Sequence, residues 1–516
     1  MKAWHRALAI VVAATAFGAA SCSDDATLGG NASQGGSVVV AEAEPPNSLD
    51  PALASTPAAL RAAWLAYTPP LTYRRVEGSS GTDLVPALAE ELPEVSDDGR
   101  TYTFAFRPGL RYANGQPLRA SDFERAVARS LRLAPAATDL FGDIVGARAY
   151  ARSRERGADI AGIAVNEGQR LVRIELDTPD RLFPYALASL RAAPVPGGTA
   201  LSELTARPPA GIGPYSVAQV RRSGDVLLVR RPDWDIPAVP EGNPQQIVTR
   251  TIPGLAERVR AVRAGRADLV EGESPVRLLA DIRSEPGDSY EEHRTLRSLY
   301  VAIDASRAPF RDPDVRRALS YALDAGDLAR IHDGFMQASC NVLPPDVAGY
   351  RALDPCPYGD RAGDSDLVEA SRLVDEAGAT GAAVGVAAGT DRRGRALARW
   401  LAGTLRKVGF AARIVPARAN VRMVSSQPSL PHPAGYLRLA DDPVLQARVR
   451  LLEQEKDAAD GESEWASIDK ETVTRAFLAP YGVETAGVLG SERLDMANCS
   501  RFHPVMGMDY SSVCVR

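Results

Sequence analysis

The chain has 516 residues, a length that suits two or three domains better than one. Charged residues make up 24% of it and the formal net charge is −5, so we expect no broad basic surface and no nucleic-acid partner. The five histidines include no pair at the spacing of two metal ligands on one helix, so we expect no histidine-built metal site and no cofactor.

The first residues are typical of an export signal, which we place at residues 1–21. Lys2 and Arg6 make its start positive, and the apolar run that follows is shorter than the roughly 20 residues that span a membrane. A triplet of small residues directly precedes Cys22 and resembles a bacterial lipobox, in which the cysteine is lipidated and becomes the mature N-terminus. Ala19 departs from that pattern, which prefers leucine. The open alternative is an ordinary cleaved signal followed by a chance cysteine.

Gly, Ser, Asn and Asp dominate the next stretch, a composition that cannot bury a core and stays flexible. We therefore interpret residues 22–36 as a tether behind the lipidated cysteine. No later segment is long and apolar enough to span a bilayer. We expect the rest of the chain to be a monomer on the outer side of a bacterial cell membrane, in the periplasmic or cell-wall space.

Strand and helix patterns alternate along the remaining chain. The β-branched run 38–41 predicts a buried strand and the period-two pattern of 101–106 predicts another, while Ser121 is a candidate cap for a helix that ends near Leu131. Further strands are predicted at 171–176, 226–229, 246–251, 299–303, 384–388 and 412–415, and helices at 58–67, 255–264, 313–323, 367–376 and 395–408. This alternation indicates an α/β chain with mixed sheets.

Four cysteines remain after Cys22, an even number in an exported chain, where disulfides persist. They allow three pairings. Our hypothesis is the two local bridges, Cys340–Cys356 and Cys499–Cys514, each of which closes a loop of about 15 residues worth roughly 3 kcal/mol. The alternative is free buried thiols.

A series of short motifs resembles one family, the extracytoplasmic solute-binding proteins of ABC importers that bind oligopeptides, dipeptides or nickel. The motifs include Leu84-Val85-Pro86-Ala87-Leu88-Ala89, Asn114-Gly115-Gln116-Pro117-Leu118, Gly211-Ile212-Gly213-Pro214-Tyr215 and Pro313-Asp314-Val315-Arg316-Arg317-Ala318-Leu319. Their order and spacing are distinctive, and the similarity covers nearly everything after residue 37.

The resemblance implies a two-lobed periplasmic-binding-protein-like fold of the class II type with an extra inserted small domain. Mapped on this chain, lobe one is residues 37–82, 196–296 and 487–516, the inserted domain is 83–195, and lobe two is 297–486. We use the names lobe one and lobe two for these segments below. Such a protein encloses a small or peptide-like solute between its lobes and delivers it to an ABC permease.

The specificity segment departs from the family. Peptide-binding members carry a tryptophan and two aspartates in lobe two, and the first aspartate pairs with the peptide's α-ammonium. Here Ser429 stands at the first aspartate and His432 at the second, and no tryptophan precedes them. Since a buried ammonium needs a paired charge, we expect a ligand without a free α-ammonium, or a modified peptide. Asp441 or Asp442 is a more distant substitute, and His432 is a turn residue or a ligand contact.

The resemblance supplies further candidate ligand contacts. Glu44, Pro45 and Pro46 follow the first strand at the position that faces the cleft in the family, Tyr215 would sit across from the Ser429 segment, and Tyr300 lies near a predicted crossover. Packing or surface roles are the alternative for each of them.

Two other functions stay open. A ligand-binding lipoprotein that acts as a sensor or scavenger would use the same fold without a dedicated permease. An exported hydrolase is the more remote alternative, because the sequence has no Gly-x-Ser-x-Gly elbow, no His-Glu-x-x-His and no phosphate-binding loop. We therefore expect a binding protein and not an enzyme.

Overall fold

The computed structural model describes residues 35–153, 159–272, 289–359, 365–440, 442–454 and 461–516. The predicted export signal, the predicted lipidation site Cys22, the predicted tether up to residue 34 and Asp441 lie outside the described residues. Within them, no helix combines the length and the apolar character that crossing a bilayer requires.

The strands, numbered in chain order, are β1 Ser37–Glu42, β2 Leu71–Tyr73, β3 Leu84–Pro86, β4 Glu94–Val95, β5 Thr101–Ala105, β6 Ile163–Asn166, β7 Leu171–Glu175, β8 Tyr215–Val220, β9 Val226–Arg230, β10 Gln246–Thr251, β11 Leu269–Gly272, β12 Ser289–Ile303, β13 Met336–Ala338, β14 Ala383–Ala387, β15 Ala411–Val415, β16 Val421–Ser426, β17 Leu478–Gly490, β18 Phe502–His503 and β19 Gly507–Met508. The α-helices are α1 Pro57–Ala66, α2 Ser121–Leu133, α3 Thr138–Phe141, α4 Ala147–Arg152, α5 Phe183–Leu187, α6 Leu255–Arg263, α7 Pro313–Tyr321, α8 Ala325–Ile331, α9 Leu367–Glu376, α10 Arg392–Lys407, α11 Pro433–Leu437, α12 Pro443–Leu452, α13 Glu462–Thr474 and α14 Met496–Cys499.

Eleven of the described strands form one mixed sheet, in the order β15-β14-β16-β12-β17-β11-β1-β10-β9-β8, with β13 attached to β17. The β1 strand is parallel to β10 and β11, whereas β17 is antiparallel to β11 and β12. One half of the sheet carries the core of lobe one and the other half the cores of lobe two. The fold is therefore the α/β, two-lobed, class II arrangement that the sequence predicted.

The two longest strands connect the halves of this sheet. β12 has 15 residues and β17 has 13. Their lobe-one ends pair with each other and, through β17, with β11, while the other end of β12 pairs with β16 of lobe two. The β12–β17 register shifts between Arg294 and Ser298, and a shift of this kind bends and twists a strand locally. This pair is the structural link on which a hinge between the lobes would depend.

A separate four-stranded sheet, β4-β5-β7-β6, packs against α2 within the predicted inserted domain. Its core is aromatic: Phe104 meets both Phe106 and Phe123 edge to face, with ring centroids 5.4 and 5.6 Å apart. The period-two pattern of 101–106 therefore predicted this strand correctly. Ser121 was predicted wrongly as the cap of α2, because Ala120 holds that position and the Ser121 hydroxyl donates to Glu167 instead.

Both predicted cysteine pairs lie at disulfide distance. The Cα atoms are 5.9 Å apart in Cys340–Cys356 and 5.5 Å apart in Cys499–Cys514. The first bridge lies in lobe two, and the second ties α14 to the C-terminal segment of lobe one.

We expect a non-reduced digest of the mature chain to yield both bridged peptides. Replacing Cys499 and Cys514 together by serine should lower the free energy of unfolding by about 3 kcal/mol, because the denatured chain regains the freedom of the closed loop. Mass mapping and urea unfolding measure the two effects. Free thiol at any of the four cysteines in the folded protein would contradict the pairing.

Candidate functional site

A cavity of about 560 Å³ lies where the two lobes meet. Its walls come from both lobes and from the two connecting strands. The lining residues are Glu77, Gly78, Phe502 and Pro504 of lobe one, Met336, Gln337 and Asp346 of lobe two, and Glu292, His293, Arg294 and Thr485 of β12 and β17. We call it the interlobe cavity, and it is the candidate solute site.

Two local features shape this cavity. Arg294 is opposite Thr485 and is the last residue before the register shift in β12, so the strand pairing is irregular where it borders the cavity. On the lobe-one side, Phe502 and Pro504 belong to the β18–β19 hairpin. Gly507 of that hairpin has φ of +79°, and a Cβ there would lie 2.5 Å from the Glu271 carboxylate, so only glycine fits.

Polar groups dominate the lining, and several are already engaged. A Glu77 oxygen accepts the Phe502 N–H at 2.8 Å, and Glu292 accepts the Thr485 hydroxyl at 3.0 Å. Arg294 pairs loosely with Asp346 at 3.4 Å. These contacts fix the walls and leave further donor and acceptor positions facing the cavity, so a polar solute fits better than an apolar one. Within the described ranges, no group of three or more His, Cys, Asp or Glu side chains is arranged to hold a metal ion.

Aromatic rings connect the inserted domain with lobe two and with lobe one. Tyr185 of the inserted domain meets His432 of lobe two edge to face, with centroids 5.8 Å apart, and His432 meets Trp465 at 5.4 Å. On the other side, Tyr185 faces Tyr73 at 6.4 Å, and Tyr73 faces His503 at 6.2 Å. Moving lobe two away from the inserted domain would have to separate Tyr185 from His432.

His432 and His503, the two histidines in these ring contacts, are buried as neutral rings. Burial, together with a smaller effect of the positive charge of Arg438, lowers the pKa of His432 to about 4. Burial likewise lowers the pKa of His503 to about 4. Because the ordinary value is 6.5, the neutral rings stabilise the folded state fully above pH 6.5, and this contribution is lost as the pH falls towards 4.

We expect His432 and His503 to stay neutral at pH 5.5 in the folded protein. The ring proton shifts in an NMR titration measure this, and His432→Asn and His503→Asn assign the two signals. Midpoints near 6.5 for both assigned signals would contradict the burial that the structure shows.

The predicted contacts after the first strand lie on the surface of lobe one. Glu44 and Pro45 are exposed and Pro46 is half-buried. Tyr215 is fully buried in the lobe-one core, and its hydroxyl donates to the Pro244 carbonyl at 2.7 Å. The structure therefore does not bring Tyr215 together with the Glu44 segment at one surface.

The predicted ligand contacts of lobe two also lie in different environments, some buried and one exposed. Tyr300 is buried in a lobe-two core, and burial raises the pKa of its hydroxyl. Ser429 is exposed. His432 is buried, caps α11 by accepting the Ala434 N–H at 3.3 Å, and contacts Tyr185 of the inserted domain. None of the predicted ligand contacts, all of them described, lines the interlobe cavity, and their role as contacts stays a prediction.

Sequence reasoning missed the residues that do line it. Glu292, His293 and Arg294 are charged or polar residues in a row within a long strand, where apolar alternation fails. This missing apolar alternation could have indicated the cavity, because charged side chains inside a central strand are unfavourable unless they face water or a polar cavity. Glu77 and Asp346 lie in loops, and nothing in their local sequence marks them.

Two lobes, two connecting strands and a polar cavity between them are the arrangement of a solute-binding protein. The family model for bacterial extracellular solute-binding proteins, family 5, matches residues 83–440. The chain belongs to this family.

Curated relatives agree with that membership. Heme-binding protein A of Haemophilus influenzae is 26% identical over 318 residues, which cover 59% of this chain and 56% of the relative. The oligopeptide-binding protein OppA of Bacillus subtilis is 25% identical over 268 residues, which cover 50% of this chain and 48% of the relative. The chain thus matches about half the length of these curated relatives.

A solved structure extends the similarity of the fold to almost the whole chain. The clavulanic acid biosynthesis oligopeptide binding protein 2 aligns with a TM-score of 0.80 over 93% of this chain and 96% of its own, at 21% identity. At that identity the likeness shows the fold alone.

Proposed function

We propose that this chain is the lipid-anchored solute-binding component of an ABC importer. It captures a peptide-like or other small solute between its lobes and delivers it to a membrane permease. The observation that carries the proposal is the interlobe cavity, because residues of both lobes and of both connecting strands line it. A site built in this way forms only when the lobes come together.

The mechanism is binding and closure without bond breaking. A solute that contacts Glu77 and Phe502 on one side and Gln337 and Asp346 on the other stabilises the closed arrangement relative to the open one. The strands β12 and β17 link the lobes, and the register shift after Arg294 is a place where they can bend. The permease would recognise the closed shape, and a lipid on Cys22 would keep the protein close to it.

The solute is expected to lack a free α-ammonium or to be a modified peptide. Ser429 is exposed and carries no charge, so this segment offers no partner for a buried ammonium. The named relatives bind such different molecules as heme and oligopeptides, so the family does not restrict the solute to peptides.

We expect Ser429→Asp to increase affinity for unmodified tripeptides. The new carboxylate would supply the charge that an α-ammonium requires, but Ser429 is exposed, so water screens the pair and the gain should be no more than about fivefold. Calorimetric titration of the mature chain measures it, with Ser463→Asp, at an exposed position of α13 in lobe two, as the matched control. Equal affinities for the parent chain and both variants would argue against this reading of the segment.

The proposed function is tested by identifying the solute. The mature protein is purified without denaturation, and the molecules that co-purify are identified by mass spectrometry, after which uptake of that solute is measured in cells with and without the gene. A bound solute whose uptake is lost on deletion supports the proposal. Uptake that is unchanged would favour a sensor or scavenger, and turnover of the solute by the pure protein would favour a hydrolase.

A further inference from the structure

A small cavity of about 90 Å³ lies in the inserted domain and shares no lining residue with the interlobe cavity. Four arginines line it, Arg107, Arg111, Arg119 and Arg170, and its other lining positions are apolar residues or glycine. Pockets for drug-sized ligands measure roughly 300–1,000 Å³, so this one has room for a single small group. We call it the inserted-domain cavity.

The local fold brings these arginines together from separate segments. Gly115 has φ of +82° in a turn that folds the chain back, so that Arg111 pairs with Pro117 in an isolated bridge. Arg119 follows directly before the cap of α2. Arg170 comes from the turn between β6 and β7, and its carbonyl oxygen accepts the N–H of the residue that follows β5 at 2.9 Å. The cavity lies where these segments meet.

Two of the guanidinium groups are held in place by neutral acceptors. Arg107 donates through Nε to the Ala87 carbonyl at 2.7 Å and through Nη2 to the Glu90 carbonyl at 3.4 Å. Arg111 donates through Nη1 to the Gly115 carbonyl at 3.0 Å. In the part of the chain that the structure describes, no ion pair involves Arg107 or Arg111. Carbonyl oxygens fix these side chains without neutralising their charge.

The other two arginines already have carboxylates near them. Arg170 pairs with Glu90 at 3.2 Å. The charge of Arg119 acts on Glu167, whose carboxylate also accepts the Ala120 N–H at 3.0 Å. Four positive charges line the cavity and two carboxylates lie beside it, so two positive charges are left, those of Arg107 and Arg111.

We propose that the inserted-domain cavity binds one oxyanion, a phosphate or a sulfate group. Guanidinium groups suit this chemistry because their parallel N–H donors match two oxygens of one anion. A doubly charged oxyanion would offset the two charges that the chain itself leaves uncompensated. The phosphate is either a free anion or part of a lipid headgroup. The site goes beyond the proposed function and does not depend on it, because it lies outside the interlobe cavity.

The test is calorimetric titration of the mature chain with inorganic phosphate, with sulfate and with glycerophosphoglycerol, the soluble phosphodiester headgroup of a membrane lipid. Ionic strength is held constant with sodium chloride. Arg111 is exposed and Arg107 is half-buried, so water screens both in part. Arg111→Gln should therefore weaken binding of the best-bound anion by about threefold to fivefold. Arg107→Gln should weaken it in the same range, and the double variant by about tenfold or more.

Arg173→Gln is the matched control. Arg173 is an exposed arginine of β7 in the same domain and does not line the cavity, so its replacement should leave anion binding unchanged. Thermal midpoints measured without added anion show whether each variant is folded. Since Arg107 also holds two backbone carbonyls, the exposed Arg111→Gln decides the test if Arg107→Gln is less stable.

Saturable binding that Arg111→Gln weakens and Arg173→Gln does not would support the site. Preference for inorganic phosphate or sulfate would then assign it to a free anion, and preference for the phosphodiester would assign it to a lipid headgroup. The site is overturned if none of the three probes binds beyond the effect of chloride, or if Arg111→Gln and Arg173→Gln both bind as the parent chain does. Neither result bears on solute capture between the lobes, which is measured separately with the co-purified solute.

Discussion

Replacing Arg129 by methionine is expected to lower the free energy of unfolding by about 3–5 kcal/mol, because it leaves the carboxylate of Asp50 buried without its partner. The side chains of Arg129 and Asp50 are 1% and 0% exposed, and they form an ion pair. Arg129 starts from α2 of the inserted domain, whereas Asp50 follows β1 of lobe one, so the pair holds the two together. Urea unfolding of the mature chain measures the loss.

Burial is unfavourable for the charged forms of both Asp50 and Arg129. Burial raises the pKa of Asp50 and lowers the pKa of Arg129, so in both cases desolvation outweighs the attraction between the two groups. The double change Asp50→Asn with Arg129→Met should therefore cost less than Arg129→Met alone.

Arg148→Met is the matched control. Arg148 pairs with Asp143 at 2.8 Å in the same inserted domain, but the two side chains are 55% and 49% exposed. Water screens such a pair, so the loss should be much smaller than that of Arg129→Met. Equal effects of Arg129→Met and Arg148→Met would contradict the assigned role of burial.

Replacing Arg61 by methionine is expected to cost a similar 3–5 kcal/mol at pH 7, since it leaves two buried carboxylates facing each other. Arg61 lies 2.9 Å from Glu42 and 3.3 Å from Glu271, and all three side chains are less than one-fifth exposed. The Tyr510 hydroxyl donates to the second oxygen of Glu42 at 2.6 Å. This network fixes the end of β1 immediately before the Glu44 segment.

The deficit of Arg61→Met should shrink at acidic pH. Burial already raises the pKa of Glu271 while Arg61 opposes the rise, so removing Arg61 raises this pKa further. A folded-state pKa raised above the unfolded value gives stability that is present at low pH and lost as the pH rises. Arg260→Met, which removes an exposed pair with Glu257, is the control and should show a small loss that does not depend on pH in this way.

Much of the fold could be predicted from the sequence, because local patterns agreed with the final packing. The helix expected at 395–408 is observed as Arg392–Lys407, and Asp312 caps α7 by accepting the Asp314 N–H at 2.8 Å. The strand expected at 299–303 is only the lobe-two end of β12. Its first half was missed because Glu292 to Arg294 border the interlobe cavity instead of alternating with apolar residues.

The candidate site was harder to predict than the fold. Tyr215 is the last residue of a motif that indicated a place near the cleft, but its ring is buried in the lobe-one core. Glu77, Asp346 and Phe502 are far apart in sequence and meet only when the lobes are assembled. Long-range juxtaposition of this kind leaves no periodic signal in one sequence, whereas burial patterns of single strands and helices do.

Small-angle scattering of the mature chain tests the central claim most directly, when it is recorded with the co-purified solute bound and after that solute is removed by mild unfolding and refolding. A smaller radius of gyration with solute, reversed on its removal, is the expected result, because the interlobe cavity has walls on both lobes. Identical scattering curves for protein shown by mass spectrometry to be loaded and empty would contradict capture by lobe closure.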